Sequence, residues 1–200
     1  NGTAGNDTIG YNPSNTLGAG SVTVNAAPTI NFTTTEAVVI DGQGGTDDLT
    51  LTTPAGVHQV TYAPGPAPDS GILAPRGAGS GTGLVPLTFS HLGASGSVSL
   101  ASGAGAREDV LELYGTNDSD VFRVNSPADS IQILNPAGGF VTVQLSTGGI
   151  SILQLRGLNG DDTFNLSAGL PYVSGTVVDG GGPSASDVLN FSGSGGTITV

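Results

Sequence analysis

The chain has 200 residues, among them 34 glycines, 12 prolines and no cysteine, and carries a net charge of −12 at pH 7. That much glycine and proline leaves little room for helix, the charge repels phosphate backbones and anionic membrane surfaces, and neither disulfides nor thiolate metal sites can form. No apolar run approaches the roughly 18 residues of a membrane helix, so neither nucleic acid nor membrane insertion is expected.

The apolar positions are mostly Val, Ile, Leu and Phe set among Thr and Ser, which suits strands joined by tight turns. The fold class read from this is all-β. The chain opens on Asn1 rather than Met and shows no leader pattern, which reads as a mature product or a piece of something longer.

Along the chain a short pattern recurs: glycine, a polar stretch, then Asp at the start of an apolar strand. It appears as GNDTIGY (5–11), GGTDDLTL (44–51), GAREDVLEL (105–113), GTNDSDVFRV (115–124), GDDTFNL (160–166) and SASDVLNF (184–191). The Asp that touches each strand is Asp7, Asp48, Asp109, Asp120, Asp162 and Asp187, at intervals of 41, 61, 11, 42 and 25 residues. The near-equal intervals of 41 and 42 indicate a duplication, with one half-repeat over 1–113 and a second over 114–200. The excess in the first half falls on residues 53–83, rich in Pro and Gly, which reads as an inserted surface loop.

Alternating stretches at 130–134, 140–145 and 151–155 supply strands with one inward face. Most intervals lie near multiples of twenty, as in a parallel β-solenoid that adds a coil about every twenty residues. A β-sandwich with Greek-key loops is the alternative. The two ends also fit each other. Joined to NGTAGNDTIGY, the C-terminal DVLNFSGSGGTITV resembles the internal DVLELYGTNDSDVFRV with nine residues added, so the chain reads as one period of a tandem array.

Residues 2–10 resemble the RTX, or hemolysin-type calcium-binding, repeats of large secreted bacterial proteins, whose nonapeptide is G-G-x-G-x-D-x-U-x. Residues 42–50, 115–123 and 157–165 match more loosely. The resemblance implies Ca²⁺ as the candidate cofactor, held by turn carbonyls and by the sixth-position aspartates Asp7, Asp47, Asp120 and Asp162. A lone turn offers fewer than the six to eight oxygens that calcium prefers, so neighbouring coils would supply the rest. The other reading of these aspartates is an Asx-turn, in which the carboxylate caps its own backbone.

No catalytic constellation stands out. His58 and His91 have no motif around them, and GASGS (93–97) has the wrong spacing for a nucleophile elbow. The adjacent acids Asp47 and Asp48 would point to opposite faces of a strand. Six N-x-S/T triplets occur, at Asn1, Asn6, Asn31, Asn117, Asn165 and Asn190, as a chain rich in Asn, Ser and Thr produces freely.

The function expected is therefore non-catalytic: an extracellular or cell-surface structural repeat module, its partners further copies of itself docked head-to-tail into a fibre, stalk or surface layer. An adhesin or carbohydrate-binding module, using the 53–83 segment and its Tyr62 as contact surface, is the first alternative. A β-helix enzyme acting on polysaccharide is the second.

Overall fold

The structure is a computed structural model that describes residues 1–56, 58–77, 83–103, 109–125, 130–135, 140–141, 144–146, 149–182 and 186–193. The chain is all-β, with no helix among the described residues, and its strands form two mixed sheets.

The first sheet begins with a meander of β1 (Thr8–Pro13), β2 (Gly20–Val24) and β3 (Ile30–Phe32). The chain then crosses to the second sheet as β4 (Val38–Asp41), and returns as β5 (Asp48–Thr53), parallel to β1. A second meander, β6 (His58–Pro64), β7 (Gly71–Gly77) and β8 (Leu87–Ser90), lies in the second sheet, where β8 pairs parallel to β4. β9 (Ser97–Ser102) returns to the first sheet beside β5, and β10 (Asp109–Tyr114) to the second beside β6, both parallel.

A second passage begins in the same way, with a meander in the first sheet, but has none in the second. β11 (Val121–Asn125) opens a meander in the first sheet with β12 (Ser130–Asn135), the short β13 (Phe140–Val141) and β14 (Gln144–Ser146). β15 (Ile150–Arg156) crosses to the second sheet beside β10, and β16 (Thr163–Ser167) returns beside β11. β17 (Gly175–Asp179) and β18 (Val188–Ser192) close the chain beside β15 and β16.

Period-two alternation explains the strands. In β5, Leu49, Leu51 and Thr53 are buried while the residues between them face outward. Inward residues from both sheets share a single apolar cluster that includes Tyr11, Leu51, Tyr62, Leu113, Phe122 and Leu155. Each such aliphatic or aromatic side chain contributes about 1.5–3 kcal/mol when fully buried. Equivalent residues on parallel neighbours stack: Phe122 on β11 lies over Phe164 on β16, with ring centroids 4.7 Å apart.

Residues 53–83 are not the surface loop expected from their composition. They contain β6 and β7, and Val60, Tyr62 and Leu73 are fully buried. Pro64 is the last residue of β6, and Pro75 lies beyond the Gly71–Leu73 stretch of β7 that pairs with β8, with its carbonyl turned to that side to accept from Leu84 N–H, so neither needs a ladder N–H. Tyr62, expected as a carbohydrate contact, has its ring wholly inside the core. Residues 57 and 78–82 of that segment, and 142–143 of the alternating stretch at 140–145, lie outside the described residues.

The irregular intervals also find their cause. Asp109 begins a strand of the second sheet, whereas Asp7, Asp48, Asp120, Asp162 and Asp187 all lead into strands of the first. The 61- and 11-residue intervals therefore divide a circuit at its opposite corner. A circuit with no meander, Thr163 to its partner Val188, takes 25 residues rather than about twenty.

Candidate functional site

Four crossings from the second sheet to the first, and the segment that leads into β1, share one construction. Residues 2–7, 42–47, 115–120 and 157–162 each begin with Gly and end, five residues later, with Asp; residues 180–187 do so with two more. The glycine is required by close approach. A Cβ at Gly42, Gly157 or Gly180 would stand 2.1–2.2 Å from Oδ2 of Asp47, Asp162 or Asp187, and at Gly2 or Gly115 2.7 Å from that of Asp7 or Asp120. The carboxylate thus packs on the bare α-carbon at the mouth of its own turn.

The other carboxylate oxygen reaches to the neighbouring turn. Asp7 N–H donates to Asp47 Oδ1 at 2.9 Å, Asp120 N–H to Asp162 Oδ1 at 2.8 Å, and Asp162 N–H to Asp187 Oδ1 at 2.9 Å. Asp48, Thr163 and Val188 return the bond by donating N–H to the carbonyls of Asp7, Asp120 and Asp162 at 2.8–2.9 Å. The aspartates form two ladders, Asp7 to Asp47 and Asp120 through Asp162 to Asp187. The first ladder stops because the next turn carries Gly96 where an Asp would stand, and Asp47 N–H turns to the Leu92 carbonyl.

The turns at 2–7 and 115–120, and those stacked on them, agree in detail. Thr3 and Thr116 each donate a backbone N–H to Oδ2 of the Asp in their own turn at 2.6 Å, and each hydroxyl adds a second bond. In the turns that follow, Gln43 and Leu158 both take positive φ, at 67° and 80°. There Thr46 N–H donates to Asn6, and Asp161 N–H to Ser119, one turn back. Asn25, at the end of β2, closes the first ladder: its amide donates to Asp7 Oδ1 while its oxygen accepts from Thr8 N–H.

These partners set the protonation of each carboxyl. The Thr3 N–H holds Asp7 below its ordinary value of 3.8. Burial pushes Asp47 and Asp120 up and carries Asp162 to about 6, with the charges of Asp120, Asp187 and Asp161 adding to the rise. Asp47 Oδ2, Asp120 Oδ1 and Asp162 Oδ2 are buried without a hydrogen-bond partner. A carboxyl that sheds its charge by binding a proton meets that situation at least cost.

The four expected metal ligands are thus fully built into the turns. Asp7 and Asp120 belong to Gly-Thr turns, Asp47 and Asp162 to the turns stacked on them, and the structure brings them together in pairs. Each pair shares an amide rather than an open set of oxygens. Among the described residues no three His, Asp or Glu side chains lie close enough to hold an ion. Asp187, the end of the second ladder, and the glycine opening each turn belong to the set as well. The four opening glycines Gly2, Gly42, Gly115 and Gly157 stand at position one of the nonapeptide frame, five residues before its Asp, whereas Asp187 stands seven after Gly180 and falls outside that frame.

A second polar cluster occupies the opposite corner. Asp109 accepts from His58 N–H at 2.8 Å and from the Thr53 hydroxyl at 2.6 Å. The His58 ring is buried between the Gly56 carbonyl and Asn15 Oδ1, at 2.9 and 3.1 Å. His58 is a packing residue that ties this corner to the loop after β1. His91 is exposed and pairs with Asp41 at 2.9 Å. On the outer face of the second sheet, Arg156 joins Glu112 and Asp179, and Gln59 joins Glu112, binding β6, β10, β15 and β17 side by side.

No protein-family model, no curated protein and no solved structure matches the chain.

Proposed function

We propose that this chain is a β-solenoid module whose work is mechanical: a non-catalytic structural unit of an extracellular or cell-surface repeat protein that stacks head-to-tail into a fibre, stalk or layer. The two sheets are read as the two sides of a flattened coil, each circuit passing once through each sheet. In-register parallel pairing of β1 with β5 and of β5 with β9, and of β11 with β16 and of β16 with β18, supports that reading.

The observation that carries the functional part is the condition of the two ends. At one, β17 and β18 are edge strands with Val177, Leu189 and Phe191 48%, 58% and 44% exposed. At the other, β4 is an edge strand with Val39 72% exposed, beside a cleft lined by Val22, Ile30, Phe32 and Ile40. Edge strands that expose apolar side chains recruit further strands, and an end-to-end contact between unlike faces does not close on itself. The aspartate ladders suit this role, since they bind one circuit to the next through buried amide bonds.

Electron microscopy and light scattering of the native material test the reading. Elongated, unbranched assemblies that grow with concentration are expected. A compact monomer at all concentrations would overturn it.

A further inference from the structure

The free edge of β4 is shaped for one particular strand. Val38 and Gly42 donate their N–H groups toward β8, to the carbonyls of Pro86 and Ser90, so the backbone groups of Val39 and Asp41 face the other way. The second of these is already engaged: Gly2 N–H donates to the Asp41 carbonyl at 2.7 Å. That bond has a twin inside the chain, where Gly115 N–H donates to the Arg156 carbonyl, also at 2.7 Å.

At the twin position, the strand leading to the glycine is present. It is β10, parallel to β15, with Leu111 opposite Leu153, Glu112 opposite Gln154 and Leu113 opposite Leu155. Leu111 and Leu113 are fully buried and Glu112 lies on the outer face. Gly2 therefore sits in the register that a β10-like strand would require along Val38–Asp41. Below that edge lies a cleft of about 540 Å³ lined by Val22, Val24, Ile30, Phe32, Val38 and Ile40.

The sequence contains a strand that fits. Residues 197–200 read TITV; followed by Asn1 and the turn GTAGND (2–7), they match VLEL (110–113), Tyr114 and GTNDSD (115–120) position for position, without a gap. Ile198 and Val200 fall on Leu111 and Leu113, the two inward positions, while Thr197 and Thr199 fall on the outward ones.

We propose that residues 197–200 of a second copy add to the free edge of β4 as a parallel strand, with Ile198 and Val200 filling the apolar cleft and Val200 meeting Asn1. This rests on the head-to-tail reading and names the contact that makes it. Backbone ladder bonds supply the affinity, and the two inward side chains supply the register.

The chain has no cysteine, so a thiol pair reads the contact directly. In the proposed register Thr199 lies opposite Val39, on the outward face. A mixture of the Thr199→Cys and Val39→Cys full-length chains, mildly oxidised, is expected to give a disulfide-linked pair of unlike chains at least tenfold more readily than Thr197→Cys with Val39→Cys. Ile198→Asp, checked by circular dichroism to be folded, is expected to abolish assembly seen by light scattering. Assembly by the wild-type chain that survives Ile198→Asp, or cross-linking that ignores register, would overturn this contact while leaving head-to-tail stacking in place. A wild-type chain that does not assemble, together with no cross-linking by either cysteine pair, would overturn both.

Discussion

The backbone N–H of Asp120 donates to Oδ1 of Asp162 at 2.8 Å across 42 residues of sequence. The bond is buried at both ends, since neither aspartate exposes surface. Removing the acceptor leaves an amide in the interior with no partner, which costs about 1–3 kcal/mol. Asp162→Ala is expected to lose that much in urea unfolding. Asp162→Asn keeps the Oδ1 acceptor and is expected to lose clearly less.

Stability should depend on pH in a direction set by the ladders. Burial raises the Asp162 carboxyl from 3.8 to about 6 and raises Asp47 and Asp120 as well. A carboxyl raised in the folded state binds its proton more tightly there than when unfolded. Its contribution is complete below the ordinary value and is lost as pH climbs through the folded one. Asp7, held low by Thr3, contributes in the opposite sense, above the ordinary value, and loses its share on acidification. Calorimetry should therefore show the Tm rising as pH falls from 7.5 toward 5, then dropping below about 4. Asp162→Asn should flatten the rise. A Tm that falls steadily from pH 7.5 to 5 would contradict this assignment.

The glycines opening the turns can be tested one at a time. A methyl at Gly157 would sit 2.1 Å from Asp162 Oδ2 and 2.4 Å from the Gly180 carbonyl, so backbone as well as side chain must move. Gly157→Ala is expected to cost about 1–3 kcal/mol, as other overpacked interiors do. At Gly83 an added Cβ meets nothing within 4 Å, and Gly83→Ala should change stability by less than about 0.5 kcal/mol. Equal effects at the two positions would show that the carboxylate–glycine contact is not what the turn requires.

Much of this was legible in the sequence, though not all of it. The all-β class and the strand starts after each Asp are local signals, and the turns of residues 2–7 and 115–120 carry matching bonds. The direction in which a carboxylate reaches is not local. Whether Asp47 takes a cation or the amide of Asp7 depends on what the neighbouring circuit places beside it, 40 residues away. The 53–83 segment misled for a related reason. Its Pro and Gly describe loops, while its alternation of Val60, Tyr62 and Leu73 describes a core, and the meander of β6 and β7 accommodates both.

Calcium provides a separate check on the turns. Asp7 already accepts from Thr3 and Asn25, and Oδ2 of Asp47 and Asp162 is pressed against glycine. Excess chelator is expected to leave the Tm unchanged, as is added Ca²⁺. A Tm lowered by chelation and restored by Ca²⁺, through linkage to the folded state, would show that these turns open to take an ion as RTX-like turns do.

The most direct test of end-to-end stacking is fibre diffraction from oriented native assemblies. Strands stacked along the axis of a growing coil repeat at about 4.8 Å along that axis. The account predicts a strong reflection at this spacing parallel to the long axis of the assemblies. A 4.8 Å reflection perpendicular to that axis, or material that yields only compact monomers, would contradict it.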